Sequence, residues 1–150
     1  MEWVRARRRA DRYRFDAPVR GGATTVKILV VDDESLIAMS TADMLIDLGH
    51  EAIEAHSGEE ALEVLRRCET IDLLLTDYAM PKMNGAQLAV AANELRPGLM
   101  ILLATGYADV PTLSEPGVRV INKPYLQNEL SSEIAKLLKL PRLGSRDEIR

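Results

Sequence analysis

The sequence is poor in the residues that most often carry chemistry. Of its 150 residues, one is cysteine, Cys68, and two are histidine, His50 and His56. One thiol excludes an internal disulfide and a cysteine-based zinc site. The two histidines are too isolated to serve as metal ligands and read as surface positions near a strand. Aromatic residues are equally scarce, with one Trp, one Phe and four Tyr. Long apolar runs are missing as well. The longest is Leu99 to Ala104, far short of the roughly 20 residues that cross a bilayer as a helix, so no membrane insertion is expected. What remains is 47% hydrophobic and 28% charged, a balance that suits one globular domain and argues against a wholly disordered chain.

The net charge of −4 hides two regions. Residues 1–25 carry seven arginines against three acids, Glu2, Asp11 and Asp16, and sum to +4. The other 125 residues stand at −8. An acidic body is a poor match for a phosphate backbone, so nucleic acid is not an expected partner of it. The basic segment 1–25 shows no sustained periodicity, and Pro18, Gly21 and Gly22 punctuate its end. It reads as a disordered, solvated extension, or as an upstream start that is not used in the cell. Other readings are a transit peptide, against which its acids and few serines count, and a patch for nucleic acid or anionic lipid at Arg7-Arg8-Arg9. A secretory signal is not expected, because no apolar stretch follows the arginines.

From Val26 onward short aliphatic runs alternate with helical periodicity. Strands are predicted over Lys27–Val31, Ala52–Ala55, Asp72–Thr76, Met100–Ala104 and Arg119–Ile121. The first helix should bury Ile37, Met44, Leu45 and Leu48 and stop at Gly49. The second opens on Ser57 and Glu60, the spacing of a capping box, and should bury Ala61, Leu62 and Leu65. The third carries Leu88, Ala91, Ala92 and Leu95 and ends before Pro97. The last has Leu126, Leu130, Ile134, Leu137 and Leu138 on one stripe. Between Ala108 and Gly117, Pro111 and Pro116 leave room for only a short or irregular connection. Repeated βαβ units of this kind make an α/β fold, a doubly wound five-stranded parallel sheet with helices on both faces. The working domain is 26–139, with 140–150 expected to fray.

In such a sheet, sites form beyond the carboxyl ends of the strands. Strand one runs into Asp32, Asp33 and Glu34. Strand three runs into Asp77, strand four into Thr105-Gly106, and strand five into Asn122-Lys123-Pro124. Each has a bland reading as a helix cap, a turn or a solvated loop residue. Together they set carboxylates, a hydroxyl and an ammonium along one sheet edge. Carboxylates about 4 Å apart repel by about 4 kcal/mol at an effective dielectric of 20, so a compensating divalent cation is expected. Carboxylate oxygens, a backbone carbonyl and water suit Mg²⁺. A centre of this kind is organised to receive a phosphoryl group, and the carboxylate facing it can attack to form an acyl phosphate.

The stretches Lys27-Ile-Leu-Val-Val-Asp-Asp33, Asp77-Tyr-Ala-Met-Pro-Lys-Met-Asn-Gly85, Ala104-Thr-Gly-Tyr107 and Asn122-Lys-Pro-Tyr125 together resemble the receiver domain of two-component response regulators, over about residues 26–139. The resemblance implies a flavodoxin-like sheet of order 2-1-3-4-5. It makes Asp77 the phosphoacceptor, with Asp33 on Mg²⁺ directly, Asp32 acting largely through water, and the Ala79 carbonyl completing the protein ligands. Thr105 would bond the phosphoryl oxygens, Lys123 would pair with them, and Lys123-Pro124 would be a cis peptide. The implied protein is a stand-alone, cytoplasmic signalling protein and not an enzyme. Its phosphoryl donor would be a histidine kinase or histidine phosphotransfer protein, and its output a downstream protein partner. Receivers often dimerise, and the residues leave open whether this one forms a homodimer.

One departure stands out. Many receivers carry an aromatic three residues before the lysine, and here that position is Val120. The Ala104-Thr-Gly-Tyr107 run resembles the subgroup named for a Phe-Ala-Thr-Gly-aromatic motif (FAT GUY), with Leu103 in place of the Phe. Tyr107 or Tyr125 is then a candidate to take over part of the readout, against the equally open reading that both are partly exposed loop tyrosines. The rival functions are a pseudo-receiver that never carries phosphate, and an enzyme or flavin carrier on the same topology. A flavin site would want a Ser/Thr/Gly-rich first loop where three acids stand.

Overall fold

The computed structural model describes residues 25–106 and 117–139. The element order is β1 (Lys27–Val31), α1 (Ser35–Asp47), β2 (Glu51–Ala55), α2 (Gly58–Arg67), β3 (Leu73–Asp77), α3 (Gly85–Leu95), β4 (Met100–Thr105), β5 (Val118–Asn122) and α4 (Gln127–Leu138). The five strands are parallel and ordered β2-β1-β3-β4-β5. The predicted sheet order is the observed one. The segments 1–24, 107–116 and 140–150 lie outside the described residues, and with them the expectations for the basic extension, the fourth connection, Tyr107 and the C-terminal end.

Strand side chains alternate between faces, so each strand feeds two cores. Leu29, Val31, Leu74 and Ile101 point to a layer closed by Leu62 and Leu65 of α2 and Leu88 and Ala92 of α3. Ile28, Val30, Leu73, Leu75 and Leu102 point to a second layer, closed by Ala38, Ala42 and Leu45 of α1 and Leu130, Ile134 and Leu137 of α4. β3 and β4 are buried along their whole length. This double burial is why their sequences read as unbroken apolar runs.

The helix ends follow local chemistry. Gly49 stands at φ +96° directly after the last turn of α1, where a left-handed residue lets the chain turn away. Ser57 accepts a bond from the Glu60 N–H at 3.0 Å, while the Glu60 carboxylate reaches past it to the His56 N–H at 2.7 Å. The predicted box is therefore shared over two residues. Asn84 and Gln87 close a full capping box on α3, with bonds of 2.8 and 2.9 Å, a start the apolar pattern alone did not mark.

One helix face differs from expectation. α1 buries Ala38, Thr41, Ala42, Leu45 and Ile46, while Ile37 and Met44 are only half-buried and Leu36 is 77% exposed. Small residues at 38 and 42 let the helix lie close on the sheet, so the buried face is marked by alanine rather than by the largest aliphatics. At the other end of α3, Leu95 is exposed.

Candidate functional site

The site lies where the strands end. β1 delivers Asp32, whose backbone N–H extends the sheet by bonding the Ala55 carbonyl at 3.1 Å. The Asp32 side chain is buried. Its Oδ1 accepts the Glu34 N–H at 2.9 Å, and its Oδ2 faces Lys123 Nζ at 3.3 Å. Glu34 itself makes no side-chain cap on α1. The acids after β1 therefore do not serve as a side-chain helix cap. Asp33 is exposed beside Asp32.

β3 delivers Asp77 as its last residue, one position beyond the predicted strand. It is 9% exposed, and its Oδ1 accepts from Lys123 Nζ at 2.9 Å. β4 ends on Thr105, buried to 1% exposure, again one residue later than predicted. The Thr105 carbonyl accepts the Lys123 N–H at 2.8 Å and so fixes the turn that carries the ammonium. The Lys123-Pro124 peptide is cis.

The loop from Asp77 to Gly85 is pinned at both ends. Tyr78 N–H bonds the Ala104 carbonyl and Gly85 N–H bonds the Tyr78 carbonyl, each at 2.8 Å. Between them, Met83 N–H reaches back to the Pro81 carbonyl at 2.7 Å across Lys82, which stands at φ +70°, a tight three-residue turn. Ala79 is exposed on this loop. Gly85 cannot be replaced quietly. A Cβ there would sit inside 3.0 Å of the Asp77 carbonyl oxygen, a Leu103 methyl and Tyr78 Cα.

Asp32, Asp33 and Asp77 each offer a carboxylate oxygen, and these lie within 4.8 Å of one another. Among the described residues this trio could hold a metal ion. The donors are all hard oxygens, with no soft sulfur or imidazole among them, which suits Mg²⁺ or Ca²⁺ over a transition metal. Among the described residues the Lys123 ammonium alone faces these three carboxylates and cannot neutralise them, so the residues present fit a divalent cation.

The electrostatics reflect crowding. Burial raises the Asp77 pKa above the ordinary carboxylate value, Lys123 pulls it back, and the charges of Asp32 and Asp33 push it up further. Burial works against the Lys123 ammonium, but its bond to Asp77 and the charge of Asp32 outweigh that and hold its pKa above the ordinary lysine value.

The remaining candidates are spread out. Val120 is 39% exposed on β5, opposite Leu103 of β4. Tyr125 is half-buried, and its phenol oxygen lies 2.7 Å from Thr41 Oγ1 on α1. It is thus tied to α1 rather than loose in the loop. Thr41 is not marked in the sequence, because a hydroxyl residue following Ser40 reads as solvent-facing. His50 is half-buried and its Nδ1 accepts the Val26 N–H at 3.2 Å. His56 Nδ1 lies 3.4 Å from the Asp32 carbonyl oxygen. Both histidines therefore contact backbone at strand ends instead of standing free on the surface.

With this geometry in place, comparison with known proteins is informative. The response regulator receiver domain family matches residues 28–135. A chemotaxis protein CheY homolog of Campylobacter jejuni is 35% identical over 120 residues, which span 75% of this chain and 92% of that protein. The response regulator receiver protein CpdR of Brucella abortus is 34% identical over 116 residues, spanning 75% of this chain and 96% of the relative. The crystal structure of a CheY-like response regulator receiver domain protein from Methanospirillum hungatei shares 33% identity and superposes with a TM-score of 0.70, covering 77% of this chain and 96% of that one.

Proposed function

The chain belongs to the response regulator receiver domain family of two-component systems, and we propose that it is a phosphorylation-controlled switch with Asp77 as the phosphoacceptor. The observation that carries this reading is Asp77 itself. It is a buried carboxylate at the end of a central strand, 2.9 Å from an ammonium and grouped with two further acids. A structural aspartate has no need of that company.

The chemistry follows from the placement. An Asp77 oxygen attacks the phosphorus of a phosphohistidine, presented by a histidine kinase or a histidine phosphotransfer protein. The O–P bond forms as the N–P bond breaks, and the departing imidazole keeps the electron pair and takes up a proton. Lys123 moves its bond from the carboxylate to a phosphoryl oxygen, and the Thr105 hydroxyl donates to another. Mg²⁺ held by Asp33, Asp77 and the Ala79 carbonyl, with Asp32 acting largely through water, would supply the charge neutralisation that this transfer depends on. These groups position and neutralise, so the protein signals and is not an enzyme in the ordinary sense.

Phosphorylation then biases the surface around β4 and β5 toward a downstream protein. Val120 leaves that surface without the usual aromatic, and Ala104-Thr-Gly-Tyr107 supports kinship with the Phe-Ala-Thr-Gly-aromatic subgroup. Tyr107 and Tyr125 are the candidates to carry part of the readout. The working unit is residues 26–139, in the cytoplasm with its donor. Among the described residues no helix is long and apolar enough to cross a membrane.

The test is direct. Incubation with Mg²⁺ and phosphoramidate or acetyl phosphate should add one phosphoryl mass, and Asp77→Asn should abolish it. No gain with any small donor or kinase would instead make this a pseudo-receiver that works by binding alone.

A further inference from the structure

The turn that carries Lys123 is pinned to β4 by the backbone bond from Lys123 N–H to the Thr105 carbonyl, and beyond that bond side chains hold it from two sides that differ in kind. Toward the site, the ammonium pairs with Asp77 at 2.9 Å and Asp32 at 3.3 Å. Away from it, the Tyr125 phenol meets Thr41 Oγ1 at 2.7 Å. Farther along the same segment, Gln127 Nε2 donates to the Met44 carbonyl at 3.0 Å. Thr41 is 3% exposed and lies on α1, the helix that begins directly after Asp32, Asp33 and Glu34. Two neutral hydrogen bonds therefore join the segment bearing the ammonium to the helix that follows Asp32 and Asp33, and the Tyr125–Thr41 bond is the one nearer to Lys123 in sequence. It lines an open cleft of about 500 Å³ whose wall also includes Lys123, Pro124 and Met44.

This matters because the ion pairs cannot hold the turn through the reaction. If Asp77 becomes an acyl phosphate, its carboxylate loses the charge that Lys123 pairs with, and the ammonium must shift to a new partner. A contact that carries no charge is indifferent to that exchange. We propose that the Tyr125–Thr41 hydrogen bond is a positioning device, which keeps Lys123 within reach of the acidic cluster while its ionic partners change. Tyr125 and Thr41 touch no phosphoryl group in this scheme and act through the placement of Lys123. The proposal rests on the phosphoacceptor reading of Asp77 for its functional meaning, while its structural content can be measured without it.

The experiment uses the full chain and four variants: Tyr125→Phe, Thr41→Val, the double variant, and Thr41→Ser as the conservative control that keeps the hydroxyl. The first readout is the NMR signal of the Lys123 side-chain ammonium in unphosphorylated protein. It should move in Tyr125→Phe and Thr41→Val, by similar amounts, and stay in place in Thr41→Ser. The second is phosphoryl uptake from phosphoramidate with saturating Mg²⁺. Loss of one neutral hydrogen bond should lower the maximal rate roughly three- to tenfold with the half-saturating donor concentration little changed. The double variant should be no slower than the slower single, because both remove the same bond.

An unmoved Lys123 signal in Tyr125→Phe and Thr41→Val overturns the proposal. So do rate losses in the two single variants that multiply in the double, or a Thr41→Ser variant as slow as Thr41→Val. A wild-type protein that takes up no phosphoryl group overturns the phosphoacceptor reading alone, and the ammonium signal then still decides whether the tether positions Lys123.

Discussion

At the edge of the sheet where the strands begin, polar groups are matched with fixed partners. Lys27 donates its N–H to the Asp72 carboxylate at 2.9 Å and its ammonium to Thr70 Oγ1 at 3.0 Å. The Arg96 guanidinium bonds the carbonyls of Leu65 at 2.7 Å, Ile71 at 3.3 Å, and Cys68. It thereby finishes the last turn of α2 from the end of α3. At the edge where the strands end, one ammonium serves two of three clustered carboxylates, and a third carboxylate stands exposed beside them. The first edge is polar and satisfied. The second is polar and short of positive charge. Like charges held together without full compensation cost stability, and a fold keeps such a cost where a ligand or a reacting group will relieve it.

Substitutions should separate the edges. The largest effect is expected at Gly85→Ala, where the new methyl meets backbone atoms of Asp77 and Tyr78 that cannot swing away. Chemical denaturation should show a loss of about 3 kcal/mol, together with slowed phosphoryl uptake because Asp77 is displaced. Next is Arg96→Leu, which strips partners from the carbonyls of Leu65, Cys68 and Ile71. A loss of about 2 kcal/mol is expected, with the uptake rate unchanged. Equal damage to uptake from Arg96→Leu would erase the distinction between the edges. Asp77→Asn removes a charge from a crowded cluster but also an ion pair, so without metal its stability should stay within about 1 kcal/mol of wild type.

The smallest effect is a pH dependence at His50. Burial holds its pKa below the ordinary imidazole value of 6.5, and the neutral ring accepts the Val26 N–H. The unfolded chain therefore takes up a proton first as pH falls. The contribution of His50 is fully present above about pH 6.5 and is lost on acidification toward its lower folded value. His50→Asn keeps an acceptor near the same place without titrating. Its stability should fall less than that of wild type between pH 7.5 and 5.5, roughly the range imidazoles titrate over. Parallel curves for the two proteins would remove His50 from the satisfied edge.

Most of the architecture was legible in the residues, because unbroken apolar strand runs, their regular spacing and the helical periodicity between them are strong signals. Asp32, Asp33, Asp77, Thr105 and Lys123 were placed by a single rule, that chemistry collects at carboxyl ends of parallel strands, and the structure brings them to one edge. What escaped were contacts that depend on shape. On α1, Leu45 is buried as its spacing predicts, but Ile37, Met44 and Leu48 are only half-buried, because the small Ala38 and Ala42 face the sheet instead. Arg96 sat before Pro97 and read as the end of a helix, since nothing local says that a guanidinium reaches carbonyls 25–31 residues earlier. Thr41 was hidden for the same reason: its partner Tyr125 is 84 residues away. The Asn84 to Gln87 box is visible in its spacing, but no large apolar residue marks the start of α3 to single it out.

The two-sided burial of the strands has a further consequence, for how substitutions combine. Leu45 packs on one side of the sheet and Leu65 on the other, and they belong to separate apolar layers. Trimming both should cost the sum of the separate losses, within about 0.5 kcal/mol. Leu45 and Leu137 share a layer, so their losses need not add. The sheet thus partitions the interior into two ledgers of tolerated change. A lineage can remodel the layer under α2 and α3 while the layer under α1 and α4, which backs the Lys123 turn, stays as it is.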